Sequence, residues 1–398
     1  MQNKNIWNHL TYASLTILAI GTFTSVSLSA VSHILIIPPA IYFFVKRYKV
    51  QSISNSSWAL LAFTLSIVLS VFVNWNQIET PVRNLSKAKY FIICFLSIYS
   101  YHSLFIDVST KKIRALINLF ILATTLASLS GLIALKWGFN PLKFGKPPCH
   151  PRRACGVYGM YMTYGYGISF FMSLLTGLIL YRDKLKEYLV MPLVYVAFVV
   201  NFLGLYLSLA RGAWIGYAVS LPFLFWHKGK KVVVGIILGV VITSALIFAV
   251  SPKVRHTFLN RAGSNSQRIS FFKAAFYAFK ENPVFGVGYR NFESKSKEIK
   301  IRHSLSDINF AGHAHNNYLE HLASSGLLAF LSTLLFFFFW AKEVMGIKSV
   351  LSGIVLAQIV NLFTSGMFQY TLGDGENLFF ILSFYALTQV YFSKQQTA

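Results

Sequence analysis

Two histidines spaced two residues apart, His313 and His315, stand with Asn316, Asn317 and Glu320 at the start of a long apolar run. An imidazole titrates near neutrality and can take a proton from a hydroxyl, whereas lysine and arginine stay charged and only attract anions. A helix beginning near Asn316 places His315 at its mouth, where the positive end of the dipole favours the neutral, basic ring. The spacing suits zinc poorly: residues two apart do not share a helix face, and there is no Glu-x-x-His partner. His315 is therefore the candidate general base, with His313 and Asn316 in support, and neither a metal nor a cofactor is expected.

Two isolated arginines offer the complementary chemistry. Arg211 stands alone between the apolar stretches 205–210 and 212–215, and a lone charge in such a run is a functional candidate by default. Its plainer role is an interfacial anchor beside Trp214. A helix over about 266–280 puts Arg268 on one stripe with Phe272, Ala275 and Phe279, and Lys273 and Lys280 on another. An arginine so placed presents a fork of donors to a phosphate, and its plainer role is to snorkel to lipid headgroups. Pro283 and the glycines of Asn282-Pro283-Val284-Phe285-Gly286-Val287-Gly288 then end that helix. Two cations and a base suit a pyrophosphate and a hydroxyl.

Elements that position such a set beside a bilayer are plain from composition. Of 398 residues 55% are hydrophobic, only 12% are charged, and mean hydropathy is +0.56. Apolar runs long enough for a ~30 Å hydrocarbon core recur along the chain. They fall near 10–29, 31–45, 58–75, 89–106, 114–135, 158–181, 188–208, 212–226, 232–250, 324–341, 348–367 and 377–393. The expected fold is an all-α integral membrane protein of about twelve transmembrane helices. Its parts are helices one to nine over 1–250, a long, partly helical loop over 251–323, and the last three spans over 324–398. The second span, which carries Pro38 and Pro39, and the eighth, close behind the seventh, are the weakest.

Lysine and arginine mark alternate breaks: Lys46, Arg47 and Lys49; Lys111, Lys112 and Arg114; Arg182, Lys184 and Lys186; Lys228, Lys230 and Lys231. These breaks and both termini are expected on the cytoplasmic side. The outer segments then hold more than half of the 36 basic residues. With a net charge of +24, an anionic ligand follows. A basic outer membrane face matches phosphate-bearing lipids or sugars rather than nucleic acid. Membrane lipids are partners on either view, and for the generic lysines headgroup contact is the plainer role. For Lys295, Lys297, Lys300 and Arg302 the favoured expectation is a solvated face, with a lid over the diphosphate as the alternative. Cys149 and Cys155 lie in an outer loop where a disulfide is plausible, with a metal site at His150 or free thiols as alternatives. Carboxylates near the proposed site are few, among them Glu79, Asp307, Glu320, Asp374 and Glu376, so a carboxylate-held metal is not expected.

In order, Ser208-Leu209-Ala210-Arg211-Gly212, Ser266-Gln267-Arg268, Asn282 to Gly288, His313-Ala314-His315-Asn316-Asn317-Tyr318-Leu319-Glu320 and Gly326-Leu327-Leu328 resemble the O-antigen ligase and polymerase superfamily. The resemblance spans roughly 200–335. It implies a metal-independent membrane glycosyltransferase of the bacterial inner membrane, active on the periplasmic face, that takes an undecaprenyl-diphosphate-linked glycan as donor. By motif, Arg211 and Arg268 would bind the donor diphosphate and His315 would activate the acceptor hydroxyl, with inversion at the anomeric carbon. Arg290 and Asp374 join His313 and Asn316 as supporting candidates, Asp374 and Glu376 as orienters of the histidine or the acceptor. Within the superfamily the ligase, with the lipid A core as acceptor, is favoured over a polymerase joining lipid-linked repeats. A transporter or flippase of anionic lipid-linked glycans is the alternative class; it would carry intramembrane arginines without needing a base.

Overall fold

A computed structural model describes residues 2–46, 53–252, 255, 262–306 and 308–395. Arg47, Lys49 and Asp307, used above for orientation and for the carboxylate count, lie outside the described residues. The protein is an all-α polytopic membrane protein, with no strand among the described residues beyond an isolated bridge between Asn140 and Lys146. Helices run in the order α1 (Gln2–Gly21), α2 (Val26–Leu35), α3 (Ile37–Val45), α4 (Asn55–Val73), α5 (Pro81–Asp107), α6 (Thr110–Trp137) and α7 (Tyr161–Leu180). They continue as α8 (Met191–Ser208), α9 (Arg211–Ser220), α10 (Lys230–Val250), α11 (Ala262–Glu281), α12 (Phe292–Arg302), α13 (Asn317–Met345), α14 (Val350–Gly366) and α15 (Gly375–Gln395).

Among the described residues, eight of the twelve expected spans are long and apolar enough to cross a membrane, the second as Val26–Val45. The others correspond to α1, to α9 with a 3-10 stretch at Leu221–Lys228, to the 17-residue α14 and to α15. The first span sits earlier than its apolar run suggests, ending at Gly21, because Ser25 caps α2 by accepting from Leu28 N. The second breaks at Ile36, ahead of Pro38 and Pro39, since proline cannot donate to the preceding turn. The eighth turns 3-10 at Pro222 for the same reason.

Phe23 from the turn after α1 and Phe120, Phe171 and Phe380 from α6, α7 and α15 meet at one centre, with ring separations of 5.2–6.2 Å. α10 is peripheral, with Val241, Ile242 and Leu246 all exposed. α13 takes the opposite place, lying along α4 where Phe63 meets the ring of His321 edge-on at 4.8 Å.

α13 is not one straight rod. At Gly326 the backbone leaves the helix (φ 77°, ψ −170°), and a straight helix would have given the Leu327 N–H to the Ala323 carbonyl. Here Leu327 N–H donates to Pro283 O (2.9 Å), and Ala323 O accepts from Val287 N–H (2.9 Å). The Asn282–Gly288 motif thus fills the gap it finds in α13. Its glycines follow from this: a Cβ at Gly286 (φ 61°) would run into the backbone of Ala323–Ser325, and one at Gly326 into that of Val284. Ser70 of α4 and Asn74, its C-cap, donate to the carbonyls of Phe285 (2.7 Å) and Gly286 (3.2 Å) and fix the motif from behind.

Candidate functional site

One cavity of about 500 Å³ gathers Arg211, Arg268 and His315, together with Arg153, Tyr161, Tyr166, Gln267 and Phe271. The three residues come from separate elements spread over residues 211–315.

His315 is presented by a tight turn before α13. Its own φ is +49°, a left-handed conformation that non-glycine residues adopt at a cost. That turn is tied on every side. Glu320, fully buried, accepts from Ala314 N–H (2.8 Å) and Ser324 Oγ (2.9 Å). Asn316 is the helix cap, accepting from the N–H groups of Tyr318 (2.9 Å) and Leu319 (3.0 Å) while its amide donates to Met367 O (3.0 Å). Asn317 exchanges bonds with Thr371 Oγ1 and Leu372 N–H, so the turn is stitched to the loop between α14 and α15.

The ring of His315 is oriented by Gln369, whose Oε1 lies 3.0 Å from Nδ1. With the carbonyl oxygen as acceptor, Nδ1 carries the proton and Nε2 keeps its lone pair. His313 packs against His315, ring centroids 4.2 Å apart, and its Nδ1 accepts from the backbone N–H of His315 (3.1 Å). It steadies the strained turn. Burial, helped by the charges of Arg268 and Lys300 and opposed by the Gln369 bond, lowers the pKa of His315. Burial is thus the foremost cause, where the sequence alone pointed to the helix dipole. His313 is pushed down to about 3 by burial, then by His315, Arg290 and Arg268.

On the facing wall, Arg211 is the first residue of α9, just after Leu209 in a left-handed conformation (φ 54°). Gly212 lets this helix start press against α7 and the loop after α14, since a Cβ there would strike Tyr166 Oη and Phe368. Arg268 lies half-buried on α11 and pairs with the Tyr166 hydroxyl. The buried stripe of α11 is Phe271, Ala274, Ala275 and Ala278, one step round from the stripe expected. That rotation leaves Arg268 between core and cavity. Behind Phe271 sits Lys300 of α12, wholly buried, its Nζ 3.3 Å from the ring centroid and donating to Phe310 O (3.0 Å). It is neither a lid nor a solvated face.

Arg290 and Asp374 do not line the cavity. Arg290 (φ 61°) donates from Nη1 to Gly373 O (3.0 Å), bracing the loop that carries Gln369. Asp374 caps α15, accepting at its carbonyl from Leu378 N–H (2.9 Å), and burial followed by Glu376 raises its pKa to about 7. The partner of His315 Nδ1 is Gln369 rather than either carboxylate. Cys149 and Cys155 form a disulfide, with Cα atoms 6.1 Å apart. Among the described residues, no group of three or more histidine, cysteine or acidic side chains is placed to hold a metal.

Fold and site together define a polytopic membrane protein with a basic, histidine-bearing cavity at the ends of its helices. Residues 196–334 match the family model described as O-Antigen ligase, which supports a likeness to the O-antigen ligase and polymerase superfamily over that stretch. Members of the family are membrane glycosyltransferase-like enzymes. An uncharacterized protein of Haemophilus influenzae is 31% identical over 161 residues, covering 35% of this chain and 40% of the relative. The chain therefore matches less than half the length of that curated relative.

Proposed function

We propose that the protein is an O-antigen ligase of the bacterial inner membrane. It transfers a glycan from undecaprenyl diphosphate to a hydroxyl of the lipid A core at the periplasmic face, with both termini cytoplasmic. The observation that carries this reading is the meeting of Arg211, Arg268 and an oriented His315 in one cavity. The acceptor hydroxyl gives its proton to Nε2 of His315 as its oxygen attacks the anomeric carbon. The bond from that carbon to the diphosphate oxygen breaks, and its electron pair leaves with the diphosphate. Arg211 and Arg268 stabilise the charge that grows there, so no step calls for a metal. Attack from the face opposite the leaving group inverts the anomeric centre.

The test is glycan transfer by the purified protein in detergent with EDTA, given undecaprenyl-diphosphate-linked glycan and either lipid A core or only further donor. Glycosylated lipid A core supports the ligase. Elongated donor alone would make it a polymerase, and donor binding without product on either acceptor would point to transport.

A further inference from the structure

Arg153 is the third guanidinium on the cavity wall, and neither the fold nor the motifs assign it a task. It comes from the only disulfide-closed loop among the described residues, six positions from Cys149 to Cys155. Three contacts hold it in place. Its guanidinium stacks on Tyr161, 4.1 Å from the ring centroid. The next residue, Ala154, is fully buried and donates its N–H to Leu207 O (2.9 Å), the end of the helix that leads into Arg211. The disulfide then closes the loop two residues further on. Arg152, its neighbour, is exposed and does not line the cavity.

Among the described residues no carboxylate pairs with Arg153 or Arg268, and no acidic side chain lines the cavity. Three guanidiniums on a wall that carries no acidic side chain suit an anion. A diphosphate that bridges lipid and sugar carries two negative charges. Once the bond to the sugar breaks, the former bridging oxygen stays on the terminal phosphate and carries a third.

We infer that Arg153 is a third diphosphate-facing cation, held in place by the Cys149–Cys155 loop, and that it serves the departing lipid diphosphate more than the intact donor. This rests on the diphosphate reading of the cavity given above. A cation matched to charge that appears during bond breaking raises the rate of transfer more than it tightens donor binding.

The full-length protein is titrated with undecaprenyl diphosphate and with the glycan-linked donor, and kcat and KM for transfer are measured in parallel. Arg153→Ala is expected to weaken undecaprenyl diphosphate about tenfold, with a matching loss in kcat and a smaller change for the donor. Arg152→Ala, an exposed charge, is expected to stay within about twofold throughout. Replacing both cysteines by serine should reproduce the Arg153→Ala loss, and combining the two changes should add little, since they act on one feature. An Arg153→Ala protein that binds the lipid diphosphate as the parent does, while Arg268→Ala does not, overturns this inference alone. If Arg153, Arg211 and Arg268 can each be replaced without loss of either ligand, the diphosphate reading itself fails. Should the cysteine variant not fold, the contrast between Arg153 and Arg152 still decides.

Discussion

The two walls of the cavity are built on different principles. The histidine wall is over-determined: His315 holds a left-handed backbone, its ring is fixed by Gln369, and its turn is fastened by Glu320, Asn316, Asn317 and His313. The arginine wall is assembled from single side chains on α9, α11 and the disulfide loop, each standing near an aromatic or glycine that gives it room. A base must offer one nitrogen in one tautomer along one direction. A phosphate accepts charge from many directions, so cations need only be near.

That contrast predicts losses of different kinds. Replacing His315 by alanine should lower kcat by about 10²- to 10⁴-fold, the usual worth of a positioned general base, with donor affinity kept. Arg268→Ala should instead act on donor affinity and transfer together, lowering kcat/KM by about 10- to 100-fold, measured by donor titration beside the transfer assay. Gln369→Leu leaves both walls present but frees the tautomer. It should cost about tenfold in kcat with KM little changed, and an undiminished kcat would remove Gln369 from the account. Smallest in its direct effect on chemistry is Gly326→Ala. It forces a Cβ onto a backbone at φ 77° and against Val284, so a loss of about 1–3 kcal/mol in stability is expected, seen as a lower Tm.

The pH profile sharpens the same contrast. A base works only when unprotonated, and His315 has its pKa lowered by burial and by Arg268 and Lys300. The acid limb of kcat/KM should therefore fall below about 6.5, the range of a free histidine. Removing the Arg268 charge relieves one of those pressures, so Arg268→Gln should shift the limb upward. A limb that stays put in that variant would mean that Arg268 does not act on His315.

Much of this was legible in the sequence, because the decisive residues break local patterns. Arg211 and Arg268 stand out as charges among apolar neighbours, and His315 as a titratable group at a helix start. Gln369 could not be seen, since it lies 54 positions from His315 in a loop with no periodicity, and only the packing of α13 against α14 brings it near. Asp374 and Glu376 are orienters on charge alone, yet neither lines the cavity, and the Asp374 carboxylate accepts from Asn377 Nδ2 (3.5 Å) beside the start of α15. The rotation of α11 escaped because alanine and phenylalanine occur on two adjacent stripes, and pattern cannot choose between them. The break at Gly326 was hidden as well: a lone glycine in an apolar run fits a helix, and its conformation is set by the Asn282–Gly288 segment that meets it.

The division of labour between the walls is tested most directly in His315→Ala. Undecaprenyl-diphosphate-linked glycan is titrated onto the purified variant, and acceptor is then added in a single-turnover chase. The account predicts a donor Kd within about twofold of the parent protein and a transfer rate lower by about 10² or more. Transfer at the parent rate, or donor affinity lost along with it, would contradict the assignment of His315 as the base.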